Sequence, residues 1–227
     1  MPRTVCLAAD RSTQLRITTP NTVVDGQGHK VPSILIKASG VTVQHFRVAG
    51  GEQAGIWSEG TNNVIADNDI SDIAFGEDDV DAIRFFGSGT KILRNRVHDL
   101  VRGPQNGAHV DCMQTYASSL PGSSNVVIAG NDCRGQDLHQ CLMAEGPGST
   151  DGGGGGSGAS RNWQMRDNRF ECFANQSISL RDIDDVTITG NRFLGSGGKA
   201  VQVTDGSTNV KVSGNTLGPG YRALLGN

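Results

Sequence analysis

The sequence predicts an all-β fold with a single domain, a parallel β-helix, and three observations lead to this prediction. A short segment of alternating apolar residues, followed by Asn, one further residue and an apolar residue, recurs six times. A second short apolar strand lies between successive copies, and no helical periodicity separates the two. Gly accounts for 32 of 227 residues and aromatic residues for 5%, which favours many turns around a core with few aromatic side chains.

The repeated Asn residues set the length of one turn of the predicted solenoid. They are Asn68, Asn95, Asn131, Asn168, Asn191 and Asn215. Successive gaps of 27, 36, 37, 23 and 24 residues indicate a basic turn of about 22–24 residues, with inserted loops at 99–124 and 134–161. Turns stacked about 4.8 Å apart would let the Asn amides hydrogen-bond along one column. We therefore expect about seven or eight turns over residues 20–217.

The two ends of the chain depart from the repeat and are predicted to cap the solenoid. Residues 1–19 are expected to form an N-terminal cap that includes a short helix over 7–11. Residues 218–227 are expected to form the C-terminal cap, because an open end would expose unpaired strand edges. The glycine run 152–156 predicts a flexible loop within the domain, since the repeat resumes at Asn162.

The charge and hydropathy of the chain exclude several classes of partner. A net charge of −3, with 19% charged residues, argues against a nucleic-acid partner. No apolar run reaches about 18 residues, so the sequence predicts no membrane-spanning helix and no membrane partner. The first residues lack the apolar core of a signal peptide. We expect a secreted or extracytoplasmic monomer whose signal is absent from this sequence.

Five Cys residues allow two disulfides and one free thiol. Cys112 and Cys141 share a column on adjacent predicted turns, and Cys133 and Cys172 follow the repeated Asn on adjacent turns. Either pair is a candidate disulfide, and Cys6 is then the odd residue. A disulfide would favour an extracytoplasmic compartment.

Alignment of the second strands predicts a polar surface on one side of the solenoid. The alignment rests on apolar residues taken as inward-facing: Ile56, Ile83, Met113, Leu142, Ile178 and Val201. The next residue of each strand then points outward, and so does the residue two positions further on. The candidate substrate-binding residues on this surface are Trp57, Gln114, Tyr116 and Glu145. The candidate catalytic residues are Asp81, Arg84, His109, Asp111, His139 and Arg181.

His109 and Asp111 form the central motif of this surface. They are two positions apart on an extended segment and therefore share a face. A His that titrates near neutrality is a suitable general base or acid, and a nearby carboxylate fixes its tautomer and raises its basicity. The alternative interpretation is a hydrogen-bonded turn at the entry to a strand.

A dense carboxylate run, Glu77-Asp78-Asp79-Val80-Asp81, precedes the same surface. Four such acids cannot all be close and ionised without a counter-cation or protonation. Ca²⁺ binds six to eight oxygen ligands, and carboxylates on a loop suit it. The sequence therefore predicts a possible Ca²⁺ site with Asp79, Asp81 and Asp111 as ligands. The alternative is a solvated acidic loop.

The repeat resembles the right-handed parallel β-helix superfamily of pectate lyases and polygalacturonases. Asp25-Gly26-Gln27-Gly28 and the Val-x-Ile-x-Gly-Asn turns carry this resemblance, which covers about residues 20–217. The resemblance implies a right-handed solenoid and a carbohydrate-related role. The acidic run is similar to the acidic stretch of small calcium-dependent pectate lyases. Because the superfamily also contains hydrolases, epimerases and non-catalytic surface proteins, the fold alone does not specify the chemistry.

A second resemblance is to the polygalacturonase motifs, in which Asp-Asp-Cys is followed by Gly-His-Gly and later by Arg-x-Lys. The comparable segments here are Val110-Asp111-Cys112, Leu138-His139-Gln140 and Arg181-Asp182-Ile183. Asp81 would be the acid of the preceding turn. The first Asp of the pair, both motif glycines and the Lys are replaced in this sequence.

The function that these residues predict is cleavage of an acidic, uronate-containing polysaccharide by β-elimination. Arg84 or Arg181 would hold the uronate carboxylate, and His109 or His139 would take the proton. The first alternative is an inverting glycoside hydrolase that uses Asp81 and Asp111 with help from His139. The second alternative is a non-catalytic glycan-binding or surface module.

Overall fold

The computed structural model describes residues 2–73, 79–100, 109–135, 137–150 and 155–226. Within these ranges the chain forms 26 strands arranged in three parallel sheets, which confirms the predicted all-β parallel β-helix. The same ranges contain no helix, and hence none long and apolar enough to cross a membrane.

The three sheets are the three long faces of the solenoid. Over the described ranges, sheet A consists of β1 (Arg3–Cys6), β3 (Thr22–Asp25), β6 (Thr42–Gln44), β9 (Val64–Ala66), β12 (Lys91–Leu93), β15 (Val126–Ala129), β18 (Ser160–Arg166), β21 (Ile183–Thr189) and β24 (Val210–Ser213). Sheet B consists of β2 (Leu15–Ile17), β5 (Ile34–Lys37), β8 (Ala54–Glu59), β11 (Asp79–Phe85), β14 (His109–Thr115), β17 (Leu142–Glu145), β20 (Gln176–Arg181), β23 (Ser196–Thr204) and β26 (Gly220–Gly226). Sheet C consists of β4 (Lys30–Val31), β7 (Arg47–Ala49), β10 (Asp69–Ser71), β13 (Arg96–Val97), β16 (Asp132–Arg134), β19 (Arg169–Glu171), β22 (Arg192–Phe193) and β25 (Thr216–Leu217).

One coil passes through sheet A, then sheet C, then sheet B, and the next coil stacks on it. From β3 to β26 this path gives eight complete coils, in agreement with the predicted seven or eight. The core is a single interior lined by inward side chains of all three sheets. Its members in sheet B stack in register, as Ile34, Ile56, Ile83 and Met113 do on consecutive coils.

The repeated Asn residues form a buried column at the bend between sheets A and C. At each of the five steps from Asn68 to Asn215, the Nδ2 of one Asn donates to the Oδ1 of the next, at 2.8–3.1 Å. The same Oδ1 also accepts the backbone N–H of the previous Asn. Asn131 and Asn191 are buried with both amide atoms paired, so the prediction of a hydrogen-bonded ladder is confirmed.

The residue before each ladder Asn turns the chain from sheet A into sheet C through a left-handed backbone. These residues are Asp67, Arg94, Gly130, Asp167, Gly190 and Gly214, with φ between 52° and 68°. Gly adopts this region without a Cβ penalty, and Asp tolerates it better than most residues do. One coil earlier, Phe46 occupies the ladder position, and its backbone N–H donates to Asn68 Oδ1 at 3.0 Å.

The chain termini extend the sheets. β1 and β2 pair with β3 and β5, and β26 pairs with β23. The helix predicted over 7–11 is wrong, because the backbone N–H groups of Leu7 and Arg11 donate to the carbonyls of Asp25 and Lys30 at 2.8 Å each. The neighbouring coil provides carbonyl acceptors for this segment without a nucleation step. A short isolated helix would first have to form a costly nucleus.

The two inserted segments contain regular strands as well as loops. β14 lies within the segment 99–124, and β17 lies within 134–161. The predicted flexible loop around the glycine run falls partly on residues 152–154, which lie outside the described residues.

Two disulfides cross the interior between sheets B and C, with pairings that differ from the predicted ones. Cys112 bonds to Cys133, and Cys141 bonds to Cys172, with Cα–Cα distances of 6.1 and 5.8 Å. The predicted pairs Cys112–Cys141 and Cys133–Cys172 are wrong. Column neighbours in a parallel sheet point their Cβ atoms in the same direction, whereas inward residues of two facing sheets point towards each other. Cys6 is free, as predicted.

Candidate functional site

The outer face of sheet B carries the predicted columns of side chains. The observed register aligns Trp57, Arg84 and Gln114 on consecutive coils and continues to Met143. Asp81 is aligned with Asp111 in the same way. The alignment drawn from the sequence is therefore confirmed for these strands. It places one side chain about every 4.8 Å along the face.

Asp81 and Arg84 share the outer face because the strand breaks its alternation between them. Ala82 and Ile83 are consecutive residues and both belong to the core. Two successive inward residues bring positions i and i+3 to the same side, whereas a regular strand would place them on opposite sides. On the next coil, Cys112 and Met113 are likewise two successive inward residues, and we call this break in alternation the corner of sheet B.

Arg84 is the centre of a buried network on this face. Its Nε donates to Asp81 Oδ2 at 2.6 Å, and its Nη2 lies 3.8 Å from Asp79 Oδ2. The guanidinium carbon lies 5.0 Å from the centre of the Trp57 ring and 5.3 Å from that of Tyr116. Two carboxylates and two aromatic rings thus fix its position, and both kinds of contact favour a cation.

The carboxyl groups of Asp81 and Asp111 are completely buried, and both hold their protons more tightly than an ordinary Asp. Burial raises the pKa of Asp81 to about 7, although the Arg84 charge opposes this rise. Burial and then the Asp81 charge raise the pKa of Asp111 well above its usual value. Asp111 Oδ1 accepts the backbone N–H of Gln140 at 2.8 Å. Near neutral pH, burial and mutual repulsion thus keep the two carboxyl groups from both being ionised.

His109 and His139 form a pair of imidazoles beside this network, with their ring planes tilted by 51°. Their ring centres are 4.2 Å apart. His109 is exposed and His139 is partly exposed, with its Nδ1 atom buried. His109 is the register partner of Asp79, and His139 comes directly before Gln140, whose N–H is bound by Asp111. The structure therefore brings both predicted His residues to one place.

Glu145 and Arg181 form a second ion pair on the same face. Arg181 Nη1 lies 2.9 Å from Glu145 Oε1, and Glu145 is buried. Arg181 is on β20, three strands along the sheet from Arg84 on β11. At about 4.8 Å per strand, the two arginines are about 14 Å apart and do not belong to one cluster.

Asp79, Asp81 and Asp111 were predicted to bind Ca²⁺. In the part of the chain that the structure describes, no group of three or more His, Cys, Asp or Glu side chains is arranged to hold a metal ion. Arg84 contacts Asp79 and Asp81 and balances part of their charge. Because Glu77 and Asp78 lie outside the described residues, calcium binding stays a prediction.

Phe86 is a residue of the site that the sequence interpretation placed outward without giving it a role. Its ring lies 5.7 Å from that of Trp57 and 5.1 Å from that of Tyr116, and it is buried between them. It also lines a cavity of about 390 Å³ that continues past Glu59 towards sheet A. The sequence does indicate Phe86, because it occupies the same outward column as Tyr116, which was predicted to bind substrate.

Comparison with known proteins places the chain in a family. The model of the family described as "Right handed beta helix region" matches residues 32–217, which is most of the chain. The chain belongs to the right-handed β-helix family. A search of curated proteins found no match to this β-helix protein.

Solved structures with similar folds have different functions. A surface adhesin of Streptococcus pneumoniae, PfbA, matches at a TM-score of 0.66 and 14% identity over 94% of this β-helix protein. The alignment covers 60% of the adhesin, so this chain spans less than two thirds of that relative. An alginate lyase from Paenibacillus sp. str. FPU-7 matches at 0.68 and 12% identity, with coverages of 99% and 79%. A tailspike protein mutant of E. coli bacteriophage HK620 matches at 0.57 and 13% identity, with coverages of 90% and 38%. At these identities the similarity concerns the fold.

Proposed function

We propose that this protein cleaves an acidic, uronate-containing polysaccharide by β-elimination on the outer face of sheet B. The observation that carries the proposal is the difference in burial between the imidazoles and the carboxyl groups of the site. The imidazoles of His109 and His139 are accessible, whereas the carboxyl groups of Asp81 and Asp111 are buried. Proton removal from a sugar carbon requires an accessible base with a pKa near the working pH, which an imidazole provides.

The proposed reaction needs one base, one acid and a cation near the uronate. One imidazole takes the C5 proton, the C4–C5 double bond forms, and the C4–O bond breaks. The leaving oxygen then takes a proton from the second imidazole in its charged form. The distance of 4.2 Å between the ring centres would allow the two rings to reach adjacent atoms of one sugar.

Arg84 supplies positive charge beneath the uronate carboxylate in this proposal, without direct contact, because its guanidinium is buried and paired with Asp81. Asp81 and the rings of Trp57 and Tyr116 hold its guanidinium in place, so no reorganisation is needed when substrate binds. Arg181, about 14 Å further along the face, would contact a neighbouring sugar unit.

Inverting hydrolysis receives less support from the geometry. That mechanism needs two reachable carboxyl groups about 6.5–9.5 Å apart, with room for a water molecule between them. Asp81 and Asp111 are buried on adjacent strands, and Asp81 is bound to Arg84. The similarity in fold to a surface adhesin favours the alternative of a non-catalytic glycan-binding role. The activity assay described next also tests this alternative.

The test is incubation of the full chain with a panel of polyuronates and neutral polysaccharides, with EDTA or with added Ca²⁺. β-Elimination gives an unsaturated product that absorbs in the ultraviolet, together with new reducing ends. Reducing ends without this absorbance would mean hydrolysis, and binding without either would mean a glycan-binding module. We expect His109→Ala and His139→Ala each to lower elimination by about 10²-fold or more. Loss of activity in EDTA, restored by Ca²⁺, would support the calcium prediction.

The proposal also places the protein outside the cytoplasm, where polysaccharides are encountered. The two interior disulfides support this, because disulfides persist in oxidising compartments and are rare in the cytosol.

A further inference from the structure

A cavity of about 390 Å³ lies where the chain passes from sheet B towards sheet A, beside the aromatic rings of the candidate site. It extends across the turns that follow β8, β11 and β14 and reaches the start of β18. Its volume falls within the range of about 300–1,000 Å³ that is usual for small-molecule sites. We call it the insertion cavity and define it by Glu59, Phe86, Ser88, Leu120, Pro121 and Arg161.

The two inserted segments build one wall of the insertion cavity. Leu120 comes from the segment 99–124, and Ser157 comes from the segment 134–161. The backbone N–H of Gly122 donates to Ser157 O at 3.0 Å, so the two segments are joined to each other at the cavity. Insertions into a solenoid often cluster on its binding face. The cavity is therefore a product of the insertions and not of the repeat alone.

Glycine backbone forms part of the opposite wall of the cavity. Gly60 and Gly87 lie on consecutive coils with φ values of 116° and 95°, a region that favours glycine. A Cβ atom on Gly87 would overlap the carbonyl oxygen of Gly60. Stacking of the two coils therefore requires glycine here, and these two turns contribute bare backbone to the cavity.

The charges of the insertion cavity do not match a run of uronates. Among the described residues that line it, the one carboxylate is that of Glu59, which lies 2.7 Å from Lys37 Nζ and accepts the indole N–H of Trp57 at 2.9 Å. The one cation of the lining is Arg161, which is exposed at the start of β18. Successive uronates would bring one carboxylate per unit and need a matching row of cations. The cavity is therefore suited to an uncharged group.

The rest of the lining combines apolar surface with hydroxyl and amide groups. Phe86, Leu120 and Pro121 supply the apolar part. Asn125 Nδ2 donates to Ser88 Oγ at 2.9 Å, which orients both side chains and leaves the Ser88 hydroxyl proton for a ligand. A sugar ring has the complementary properties, since its C–H face is apolar and its hydroxyl groups donate and accept hydrogen bonds.

We propose that the insertion cavity binds a neutral sugar unit of the same polysaccharide whose uronate lies on the outer face of sheet B. Phe86 connects the two places, because its ring also lies 5.7 Å from that of Trp57 and 5.1 Å from that of Tyr116. The choice of a sugar rests on the proposed function. It narrows the substrate to a mixed polymer, in which neutral sugars accompany uronates.

The test is calorimetric titration of the His109→Ala protein with two sets of oligosaccharides of equal length, one with alternating uronate and neutral sugar units and one of uronates alone. We expect the mixed set to bind about tenfold more tightly or better, and Leu120→Ala and Ser88→Ala each to weaken the mixed set selectively. The matched controls are Leu194→Ala and Ser71→Ala, which shorten half-buried side chains on or directly after strands of sheet C. The controls should bind as the parent does, and all variants should keep the parent's melting temperature.

Equal affinity for the two sets, or an unchanged preference in both cavity variants, would overturn the proposal. So would tighter binding of a medium-chain fatty acid that is lost in Leu120→Ala, since the cavity would then be a lipid site. The proposed function fails separately. A neutral-sugar preference that depends on Leu120, without elimination by the chain that retains His109, would sink the proposed function and support the cavity. Elimination of polyuronates without this preference would do the reverse, and absence of binding by either set would overturn both.

Discussion

Asp81 and Asp111 occupy one column a coil apart, and Arg84, the cation that contacts Asp81 among the described residues, also lies near Asp79. The guanidinium of Arg84 touches Asp81 at 2.6 Å and leaves Asp111 with a backbone N–H as its hydrogen-bond partner. Two buried carboxyl groups with one shared arginine cannot both be fully ionised near neutral pH. At the scale of the residue, the site is therefore a proton-holding network whose charge depends on pH.

Asp111→Asn is expected to change how stability depends on pH. Both folded carboxyls have raised pKa values, about 7 for Asp81, so the folded state binds more protons than the unfolded state between about pH 4 and pH 7. Their contribution is fully present below about pH 4 and is lost as the pH rises. The Asn variant should lose less stability than the parent between about pH 5 and pH 8 in urea unfolding. Parallel curves for the two proteins would contradict this.

Arg84→Gln is expected to destabilise the fold far more than a matched exposed change. Removal of Arg84 leaves the buried Asp81 without its counter-charge, which costs about 3–5 kcal/mol near neutral pH. The control Arg94→Gln breaks the exposed pair with Asp67 and should cost about 1 kcal/mol or less. The midpoints of denaturant unfolding give the loss of stability of each variant. Similar losses in the two variants would show that the Arg84 network adds little.

At the scale of the element, the Asn ladder and the corner of sheet B show what the sequence could predict. The ladder and the outward columns were predictable because each coil points its side chains in the same directions as the previous coil. Equivalent positions of the repeat therefore stack. The burial of Asp81 and Asp111 was not, because alternation gives the direction of a side chain and says nothing of what covers it. The disulfides were mispredicted for a related reason: Cys112 and Cys141 do share a column, but their Cβ atoms do not converge.

Asn131→Ala is expected to destabilise the protein more than Asn215→Ala. Asn131 Oδ1 accepts two N–H groups of Asn95, and its Nδ2 donates to Asn168 Oδ1 and to Ile92 O. Removing it leaves buried groups unpaired on both neighbouring coils, at a cost of about 1–3 kcal/mol. Asn215 is the last and half-buried member, so water can replace part of its bonds. Equal losses in thermal or urea unfolding would mean that the position within the ladder does not matter.

At the scale of the whole molecule, the two disulfides connect the coils that carry Asp111, His139 and Glu145, whereas Trp57 and Arg84 lie on earlier coils. They join strands and turns between Cys112 and Cys172, whereas the coils on either side depend on stacking alone. Each coil contacts only its neighbours, so stability is a sum of local stacking terms with a cross-linked middle. The fold class followed from the repeat, but the position of this cross-linked middle required the observed pairing.

Removal of one disulfide is expected to lower the stability of the solenoid. The double substitution Cys112→Ser and Cys133→Ser should cost about 2–5 kcal/mol, because the reduced chain gains freedom in the unfolded state. Substitution of the free Cys6 by Ser is the matched control and should change little. Urea unfolding with and without reductant measures both. A parent protein insensitive to reductant would contradict the expectation.

The cross-linked middle also determines how the molecule responds to mechanical load. A pull on the two termini would detach coils from the ends, one stacking interface at a time, since no disulfide joins those coils to their neighbours. Each intact bridge carries the load across the chain that it encloses, so further extension would release only the short stretch between Cys133 and Cys141. Gln114, Tyr116 and Glu145 lie inside the enclosed segments and would bear no load under a force that has already unravelled both ends.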